Sequence, residues 1–358
     1  MDKILSIIIP TFNMEKYLHK CLDSLIVSGE NLEKLDVLVI NDGSKDSSSQ
    51  IAHEYETKFP ETFRVIDKEN GNYGSCINRG LKEAMGRYIK VLDADDFYDK
   101  EVLNNYINYL KEIKDVDMII SDFCLVNEEG TITEEYTYSF DSQHVFSLDD
   151  ISKEYVEWIW HHAITYRREL LVDMNYHQTE GISYTDDEWI FKPMFYVDKV
   201  RYYPQMLYYY LRGREGQTFD PKVIKKSLSQ MIIVANSLID SYYSISKSQE
   251  VNNNVYLKQK IIIKLYPLYG RFLLLYYPLE CVDLMKNLDR NIEKKIPEFY
   301  DNMNNVVNRL GHHYIYNWRH SNYKPNKLDL IVYKFLRRVV RFWGRNPLHM
   351  PESLKRIS

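Results

Sequence analysis

The chain reads Tyr88-Ile89-Lys90-Val91-Leu92-Asp93-Ala94-Asp95-Asp96 near the end of its first hundred residues. The mostly apolar run that begins this segment is typical of a buried strand, and the carboxylates follow where that strand emerges. Mg²⁺ and Mn²⁺ bind carboxylate oxygens together with substrate phosphates, so two carboxylates on one short turn suit such an ion beside a diphosphate. Asp-rich turns also begin helices in proteins that bind no metal. The turn is therefore a candidate cation site whose meaning depends on the segments around it.

The segments before this turn alternate between strand and helix patterns. Strand patterns cover residues 5–9, 37–40, 64–66 and 88–92, and helix patterns cover residues 15–28, 47–59 and 76–85. This alternation predicts an α/β fold in which a mostly parallel sheet is flanked by helices. Strand patterns fade after Gly216, and the chain becomes mostly helical. We therefore expect an α/β domain over residues 1–217, a helical C-terminal domain over 218–320 and a basic tail over 321–358.

Polar side chains follow three of the predicted strands at the point where each strand ends. Thr11 and Asn13 follow the first strand, Asp42 follows the second, and Asp93 and Asp95 follow the fourth. In an open sheet of this kind, ligands bind beyond the carboxyl ends of the strands. Polar residues at three strand ends together predict a binding site at that edge. A single acidic turn would not be enough to predict one.

The composition narrows the class of protein. With 358 residues, 45% hydrophobic and 27% charged, the chain is typical of a globular protein of one or two domains. Its four cysteines are scattered without metal-type or paired spacing, which indicates a reducing compartment. The most apolar long stretch, residues 265–282, is interrupted by prolines and charged residues, so it predicts a buried helical pair rather than a membrane span.

Four segments of the chain resemble the family-2 inverting glycosyltransferases with the GT-A fold. They are Ile9-Pro10-Thr11-Phe12-Asn13, Val39-Ile40-Asn41-Asp42-Gly43-Ser44, Lys90-Val91-Leu92-Asp93-Ala94-Asp95-Asp96 and Tyr184-Thr185-Asp186-Asp187-Glu188-Trp189. They occur in the order and approximate spacing of that family and cover roughly residues 3–217. The resemblance implies a nucleotide-binding GT-A sheet and metal-dependent transfer of a sugar from a nucleotide sugar, with a UDP-sugar as the expected donor.

The resemblance also implies residues that contact this donor. Those expected at the nucleotide are Pro10, Thr11, Asn13, Asp42, Asn78, Arg79, Asp93, Arg212 and Arg214. Asp42 would accept a hydrogen bond from the uracil, one of Asn78 and Arg79 would face the donor, and the arginine loop would grip the diphosphate. The backbone N–H groups of the segment 70–75, which contains two glycines, could approach a phosphate. Ordinary strand ends, turns and solvated charges are the alternative interpretation of each of these residues.

The acidic residues have separate expected roles by the same resemblance. Asp95 would ligate Mn²⁺ or Mg²⁺, and Asp93 would contact the ribose or a metal-bound water. Asp96 is expected to cap the next helix. Asp186 is expected to be the base that deprotonates the acceptor, with Asp187 as second choice, although acids at a helix start also stabilise its dipole.

Two further features bear on the site and its surroundings. His161 and His162 could approach the metal or the acceptor, but adjacent histidines of this kind are more often structural. Residues 321–358 carry nine Lys or Arg against two acids, and residues 327–345 have an apolar face flanked by basic residues. This pattern predicts a helix lying on an anionic membrane surface. The alternative is a terminal helix that packs on the acidic body of the protein.

These features together predict an enzyme of bacterial envelope polysaccharide synthesis. We expect it in the cytoplasm, associated peripherally with the inner face of the plasma membrane, with a glycan or lipid-linked acceptor and no nucleic-acid partner. A sugar-nucleotide pyrophosphorylase is a rival, but it would need a glycine-rich basic loop after the first strand, and Pro10–Asn13 is not such a loop. A non-catalytic sugar-nucleotide-binding protein is a second rival. The acidic turn and the segment that contains the expected base are both intact, which argues against it.

Overall fold

The computed structural model describes residues 2–151, 153–214, 217, 221–248, 253–307, 311–324 and 331. The chain divides into two compact units, Met1–Gln217 and Thr218–Ser358. The predicted amphipathic segment 327–345 lies outside the described residues except for Ile331, so its membrane contact stays a prediction.

Among the described residues, nine strands of the first unit form one sheet. They are β1 Leu5–Thr11, β2 Leu35–Asn41, β3 Phe63–Asp67, β4 Tyr88–Val91, β5 Phe97–Tyr98, β6 Met118–Val126, β7 Ile132–Tyr136, β8 Ile164–Arg167 and β9 Val200–Leu211. Their order is β3-β2-β1-β4-β8-β6-β9-β5, and β7 pairs with β6. The strands β3, β2, β1 and β4 are parallel, whereas β8 pairs antiparallel with both β4 and β6. The sheet is therefore mixed, with its predicted parallel half at the N-terminal end of the chain.

Helices cover both faces of this sheet. They are α1 Leu18–Asp23, α2 Asn31–Lys34, α3 Ser48–Lys58, α4 Asn72–Glu83, α5 Lys100–Glu112, α6 Lys153–Val156, α7 Arg168–Asp173 and α8 Asp186–Trp189, with 3₁₀ turns at Leu148–Asp150, His161–Ala163 and Lys192–Phe195. Every residue of β2 and β4 is buried, which is why these strands are almost continuously apolar rather than alternating. The predicted α/β class with flanking helices is confirmed.

Two elements differ from the sequence prediction. The acidic run and the apolar residues that follow it over residues 184–196 are typical of one continuous helix, but they form the short helix α8 and a separate 3₁₀ turn, which has Pro193 in its first turn. A proline has no backbone N–H to continue the helical ladder, so the two pieces stay separate. The long strand β9 was not predicted, although it is rich in tyrosine. Its pairing with β6 skips Pro204 and Gln205, and this irregularity hides the strand pattern.

The second unit is helical, as predicted. Its elements are α9 Pro221–Lys226, α10 Leu228–Ser248, α11 Asn254–Gly270, a π-helical turn Arg271–Tyr276, a 3₁₀ turn Leu279–Cys281, α12 Val282–Lys295, α13 Pro297–Met303 and α14 Tyr314–His320. A buried ion pair links two of these helices, because Arg319 of α14 donates to Asp289 of α12 at 2.6 Å. Within the described ranges, no helix combines the length and the apolar character that crossing a membrane requires.

Candidate active site

The carboxyl ends of β1, β2 and β4 lie side by side because β1 pairs with both of its neighbours in parallel. The turn after β1 is tied to the turn after β2: the backbone N–H of Asn13 donates to Ser44 Oγ at 3.0 Å, and the backbone N–H of Lys45 donates to Asn13 Oδ1 at 2.8 Å. Asn13 has φ +54°, a conformation that asparagine tolerates better than most residues. Thr11 is buried, and its hydroxyl donates to the carbonyl of Ile9.

Asp96, the last residue of the acidic turn, anchors β9. Its carboxylate accepts hydrogen bonds from the Tyr208 hydroxyl at 2.6 Å and from the backbone N–H of Leu211 at 2.7 Å. Complete burial, with Asp95 and Asp93 nearby, raises the pKa of Asp96 well above its usual range. The prediction that Asp96 caps the next helix is wrong: Asp99 caps α5 by accepting from the backbone N–H of Val102.

Asp95 is paired with an arginine of the predicted basic loop. Arg214 Nε lies 2.5 Å from Asp95 Oδ2, and the guanidinium also lies over the ring of Tyr17, 5.6 Å from its centroid. Burial raises the pKa of Asp95, and Arg214 opposes that rise. The structure therefore brings Arg214 to the acidic turn, whereas Arg212 beside it is exposed.

Asp93 and Asp186 flank a histidine. His161 Nε2 lies 3.3 Å from Asp93 Oδ2, and His161 Nδ1 lies 4.0 Å from Asp186 Oδ2. The Tyr73 hydroxyl donates to the other oxygen of Asp93 at 3.1 Å. Burial lowers the pKa of His161, but the two carboxylates outweigh burial and leave that pKa raised. The expected base Asp186 is 40% exposed at the start of α8, so an acceptor hydroxyl can reach it.

His162 is buried behind His161. It is 4% exposed, and neither ring nitrogen has a hydrogen-bond partner in the described part of the chain. Its ring packs between aromatic side chains, 4.4 Å from Tyr210 and 5.4 Å from Phe123. Burial, with His161 and Lys90 nearby, lowers the pKa of His162 well below its usual range.

Lys90 holds the histidine turn from within β4. Its fully buried ammonium group donates to the carbonyl of His162 at 2.7 Å and to that of Ile164 at 3.2 Å. Burial lowers the pKa of Lys90 to about 7. Lys90 was not predicted to have a role, although a lysine inside an otherwise apolar strand is a usable signal of one.

Asp42 fastens a neighbouring loop. Its carboxylate pairs with Lys68 Nζ at 2.5 Å and accepts from the backbone N–H groups of Gly71 and Asn72, each at 2.9 Å. These are N–H groups that we expected to approach a phosphate. Asp42 is almost fully buried, so the geometry supports a role in positioning the loop, and its contact with a uracil stays a prediction.

An open cleft of about 690 Å³ lies over this loop. Residues on its wall include Phe12, Gly43, Lys45, Ser49, Lys68 and Asn70. Phe12 is 45% exposed, and a flat aromatic face beside polar groups suits the stacking of a nucleobase. Phe12 was not predicted as a site residue, although a large aromatic residue directly after a strand end is a usable signal.

Asn78 and Arg79, which we expected to face the donor, are engaged elsewhere. The Asn78 amide donates to the carbonyl of Gln178 and to Glu180 Oε1, each at 2.8 Å. Arg79 pairs with Glu83 one turn along α4, at an exposed position. Asn78 therefore holds the segment before α8 against α4. Gly74 permits this approach, because a Cβ there would collide with the carbonyl oxygen of Thr179.

Comparison with known proteins agrees with this architecture. Residues 6–173 match the family described as "Glycosyl transferase family 2". The fold is similar to that of residues 1–349 of S. aureus TarS, solved in complex with UDP-GlcNAc, with a TM-score of 0.65 and 20% identity over 94% of this chain and 91% of that one. At this identity, the likeness concerns the fold alone.

The relatives that are similar in sequence include three bacterial proteins. The uncharacterized glycosyltransferase MG025 of Mycoplasma genitalium is 38% identical over 36% of this chain and 42% of the relative. The minor teichoic acid biosynthesis protein GgaB of Bacillus subtilis is 32% identical over 45% of this chain and 17% of the relative. The uncharacterized glycosyltransferase YibD of Escherichia coli is 30% identical over 58% of this chain and 62% of the relative. The chain spans less than two thirds of the length of each of them. The ordered motifs, the sheet and these matches together show that residues 6–173 form a glycosyltransferase family 2 domain, and that the fold is GT-A-like.

Proposed function

We propose that this chain is a metal-dependent inverting glycosyltransferase that moves a sugar from a UDP-sugar to a hydroxyl of a glycan or lipid-linked acceptor. The observation that carries the proposal is the placement of Asp93 and Asp186 around His161 at the carboxyl edge of the sheet. Asp93 lies on the acidic turn, and Asp186 is half-exposed at the start of α8. Two carboxylates with different proposed roles therefore lie next to the same histidine side chain.

The donor would lie along this edge. The cleft beside Phe12 suits the nucleoside, and the acidic turn with Arg214 suits the diphosphate. A divalent cation, when bound at the acidic turn, would offset the negative charge on the leaving diphosphate. A UDP-sugar is supported by the S. aureus TarS structure, which has the same fold and binds UDP-GlcNAc.

The chemistry assigned to Asp186 is a single displacement. Its carboxylate would take the proton of the acceptor hydroxyl while the acceptor oxygen bonds to the anomeric carbon. The bond from that carbon to the diphosphate oxygen breaks at the same time, and the electron pair leaves with UDP. Because attack and departure occur on opposite faces of the sugar, the anomeric configuration inverts. Asp187 remains the second choice for the base.

The acceptor and the location follow from relatives and from the C-terminal sequence. GgaB is named for minor teichoic acid biosynthesis, which supports a role in envelope polysaccharide synthesis for this chain too. The basic segment 327–345 would hold the protein on the inner face of the plasma membrane. Co-sedimentation with anionic vesicles tests this contact, because deletion of residues 321–358 should abolish binding; unchanged binding would refute it.

The transferase proposal is tested by UDP release. The full chain is incubated with a panel of UDP-sugars and Mn²⁺, and the released UDP is compared between the wild type, Asp95→Ala and Asp186→Asn. We expect release with one donor above all others and its loss in Asp186→Asn. UDP binding without release from any donor would favour the non-catalytic alternative, and neither binding nor release would refute the proposal.

A further inference from the structure

We propose that Tyr136, Trp158 and Trp160 form an aromatic platform that binds an uncharged sugar of the acceptor glycan, one unit beyond the sugar that carries the reacting hydroxyl. The inference rests on the proposed function, because it places the acceptor relative to the expected base Asp186. It assigns a class of acceptor, a neutral oligosaccharide, that the sequence motifs do not specify.

The aromatic platform lies at the same edge of the sheet as the acidic turn. β6 runs parallel to β4, since β8 pairs antiparallel with both, so the carboxyl end of β6 lies at the ligand edge. Tyr136 of β7 is in register with Phe123, in the second half of β6. Trp158 and Trp160 precede the 3₁₀ turn that begins at His161. The platform therefore adjoins the elements that form the candidate active site.

A buried ring supports the platform from below. Phe123 is fully buried, and its ring lies 4.5 Å from that of Tyr136 and 5.5 Å from that of Trp160, centroid to centroid. The ring of Tyr136 lies 5.5 Å from that of Trp158 and 5.0 Å from that of Trp160. The indole N–H of Trp160 also donates to the carbonyl of Glu157 at 2.9 Å. The rings are therefore held in place before a ligand arrives, which lowers the entropy cost of binding.

The platform keeps aromatic surface in contact with solvent. Trp158 is 37% exposed, and Trp160 is partly exposed. Both tryptophans pack on the ring of Tyr136, so their accessible parts adjoin. The face of an aromatic ring is electron-rich, and the C–H groups on one side of a pyranose are weakly positive. An uncharged sugar can therefore stack on this surface.

Charged side chains border the platform and narrow the class of ligand. Glu134, Glu157 and Arg212 are exposed, and each lies close enough to the Tyr136 hydroxyl to act on it electrostatically. Carboxylates and a guanidinium can form hydrogen bonds with sugar hydroxyls. With two acids against one base, this border repels an anionic partner such as a phospholipid surface or a phosphate-bearing glycan. The rings and the charges together favour a neutral sugar.

Two histidines lie between the platform and the expected base. The ring of Trp160 lies 6.0 Å from that of His162, which lies 3.8 Å from the ring of His161, centroid to centroid. His161 Nδ1 lies 4.0 Å from Asp186 Oδ2. Trp160 and Asp186 are therefore neighbours without being adjacent. A sugar whose hydroxyl meets Asp186 would leave the platform to the next unit of the glycan, and a monosaccharide would not reach both.

Binding of short neutral glycans to the full chain tests the inference without any turnover. The probes are the methyl glycosides of glucose, galactose and N-acetylglucosamine and the corresponding β-linked trisaccharides, titrated with UDP and Mn²⁺ present and followed by ligand-observed NMR. The wild type is compared with Trp158→Ala, Trp160→Ala, Trp160→Phe and the control Tyr196→Ala, which removes an aromatic side chain of matched exposure, 38%, directly after the 3₁₀ turn Lys192–Phe195. We expect at least one trisaccharide to bind the wild type and the control alike, and to bind each tryptophan-to-alanine variant about threefold to tenfold more weakly. Trp160→Phe should keep most of the affinity, and monosaccharide binding should be the same in every variant.

The dependence on glycan length separates a binding role from a structural one. Failure of every trisaccharide to bind the wild type, unchanged affinity in both alanine variants, or an equal loss of monosaccharide and trisaccharide binding would each overturn the inference. Weaker co-sedimentation of Trp158→Ala with anionic vesicles would assign the platform to a membrane instead. UDP release from the donor panel with no trisaccharide bound would refute the platform alone. Trisaccharide binding that depends on the platform, without UDP release from any donor, would count against the transferase alone.

Discussion

Arg214 donates to Asp95 at 2.5 Å across 119 residues of sequence. The pair joins the acidic turn after β4 to the loop after β9, and it is largely shielded from water. Both side chains were expected near the donor diphosphate, one as a metal ligand and the other as a cation. Because each already satisfies the other, a diphosphate bound there would compete with Asp95 for the guanidinium.

We expect Arg214→Gln to weaken UDP affinity by about tenfold to a hundredfold, because hydrogen bonds to charged groups contribute about 1.5–3 kcal/mol. Calorimetric titration with UDP in the presence of Mn²⁺ measures the change. The matched control is Arg79→Gln, which removes an exposed arginine paired with Glu83 and should leave UDP affinity unaltered. Equal UDP affinity in the two variants would show that Arg214 does not contact the donor.

Two neutral substitutions, Asp186→Asn and Asp187→Asn, distinguish the two candidates for the catalytic base. Asp186→Asn should lower kcat by about 10² to 10⁴, the usual contribution of a general base, while UDP affinity stays close to that of the wild type. Asp187→Asn should lower kcat much less. Steady-state rates and UDP titrations on the same preparations check this prediction. A larger loss of kcat in Asp187→Asn would move the base to the neighbouring residue.

Asp42 should matter for stability more than a surface acid does. Its buried carboxylate holds Lys68 and two backbone N–H groups, so Asp42→Asn leaves an uncompensated ammonium and should lower the free energy of unfolding by about 3 kcal/mol. Glu83→Gln, which breaks an exposed pair with Arg79, should cost about 1 kcal/mol or less. Urea unfolding of both variants provides the comparison. Equal costs would mean that the loop is held by other contacts.

The order of strands and helices was predictable because burial leaves a direct mark on sequence. Residues of β1, β2 and β4 are covered on both faces, so their runs are apolar and short, and the polar residues that follow them mark the ligand edge. Asp93 and Asp186 could be found in this way with the help of the family motifs. Their approach to a single histidine could not.

The remaining features depend on contacts that sequence spacing does not encode. His161 meets Asp93 only because β8 inserts between β4 and β6, and that strand order is not readable from a four-residue strand. The pairing of Asp95 with Arg214 requires β9, whose pattern is interrupted by a proline. Adjacent histidines are usually structural, and the unsatisfied nitrogens of His162 become visible only when its surroundings are known.

Lys90 should make the stability of the protein depend on pH in a distinctive direction. Its pKa is about 7 in the folded chain because of burial, against 10.5 for an ordinary lysine, so between these values the unfolded chain binds a proton that the folded chain does not. The contribution of Lys90 to the free energy of unfolding is therefore lowest below about pH 7, and it rises by about 2 kcal/mol between about pH 7 and about pH 9.

Urea unfolding of the wild type against Lys90→Gln measures this contribution, because glutamine keeps a donor for the carbonyl of His162 but does not titrate. Lys90→Met serves as a second variant that removes both the charge and the donor. The difference in unfolding free energy between the wild type and Lys90→Gln should grow in favour of the wild type as pH rises. A difference that stays constant with pH would mean that Lys90 remains charged in the folded protein, and that its ammonium is stabilised by its carbonyl contacts despite complete burial.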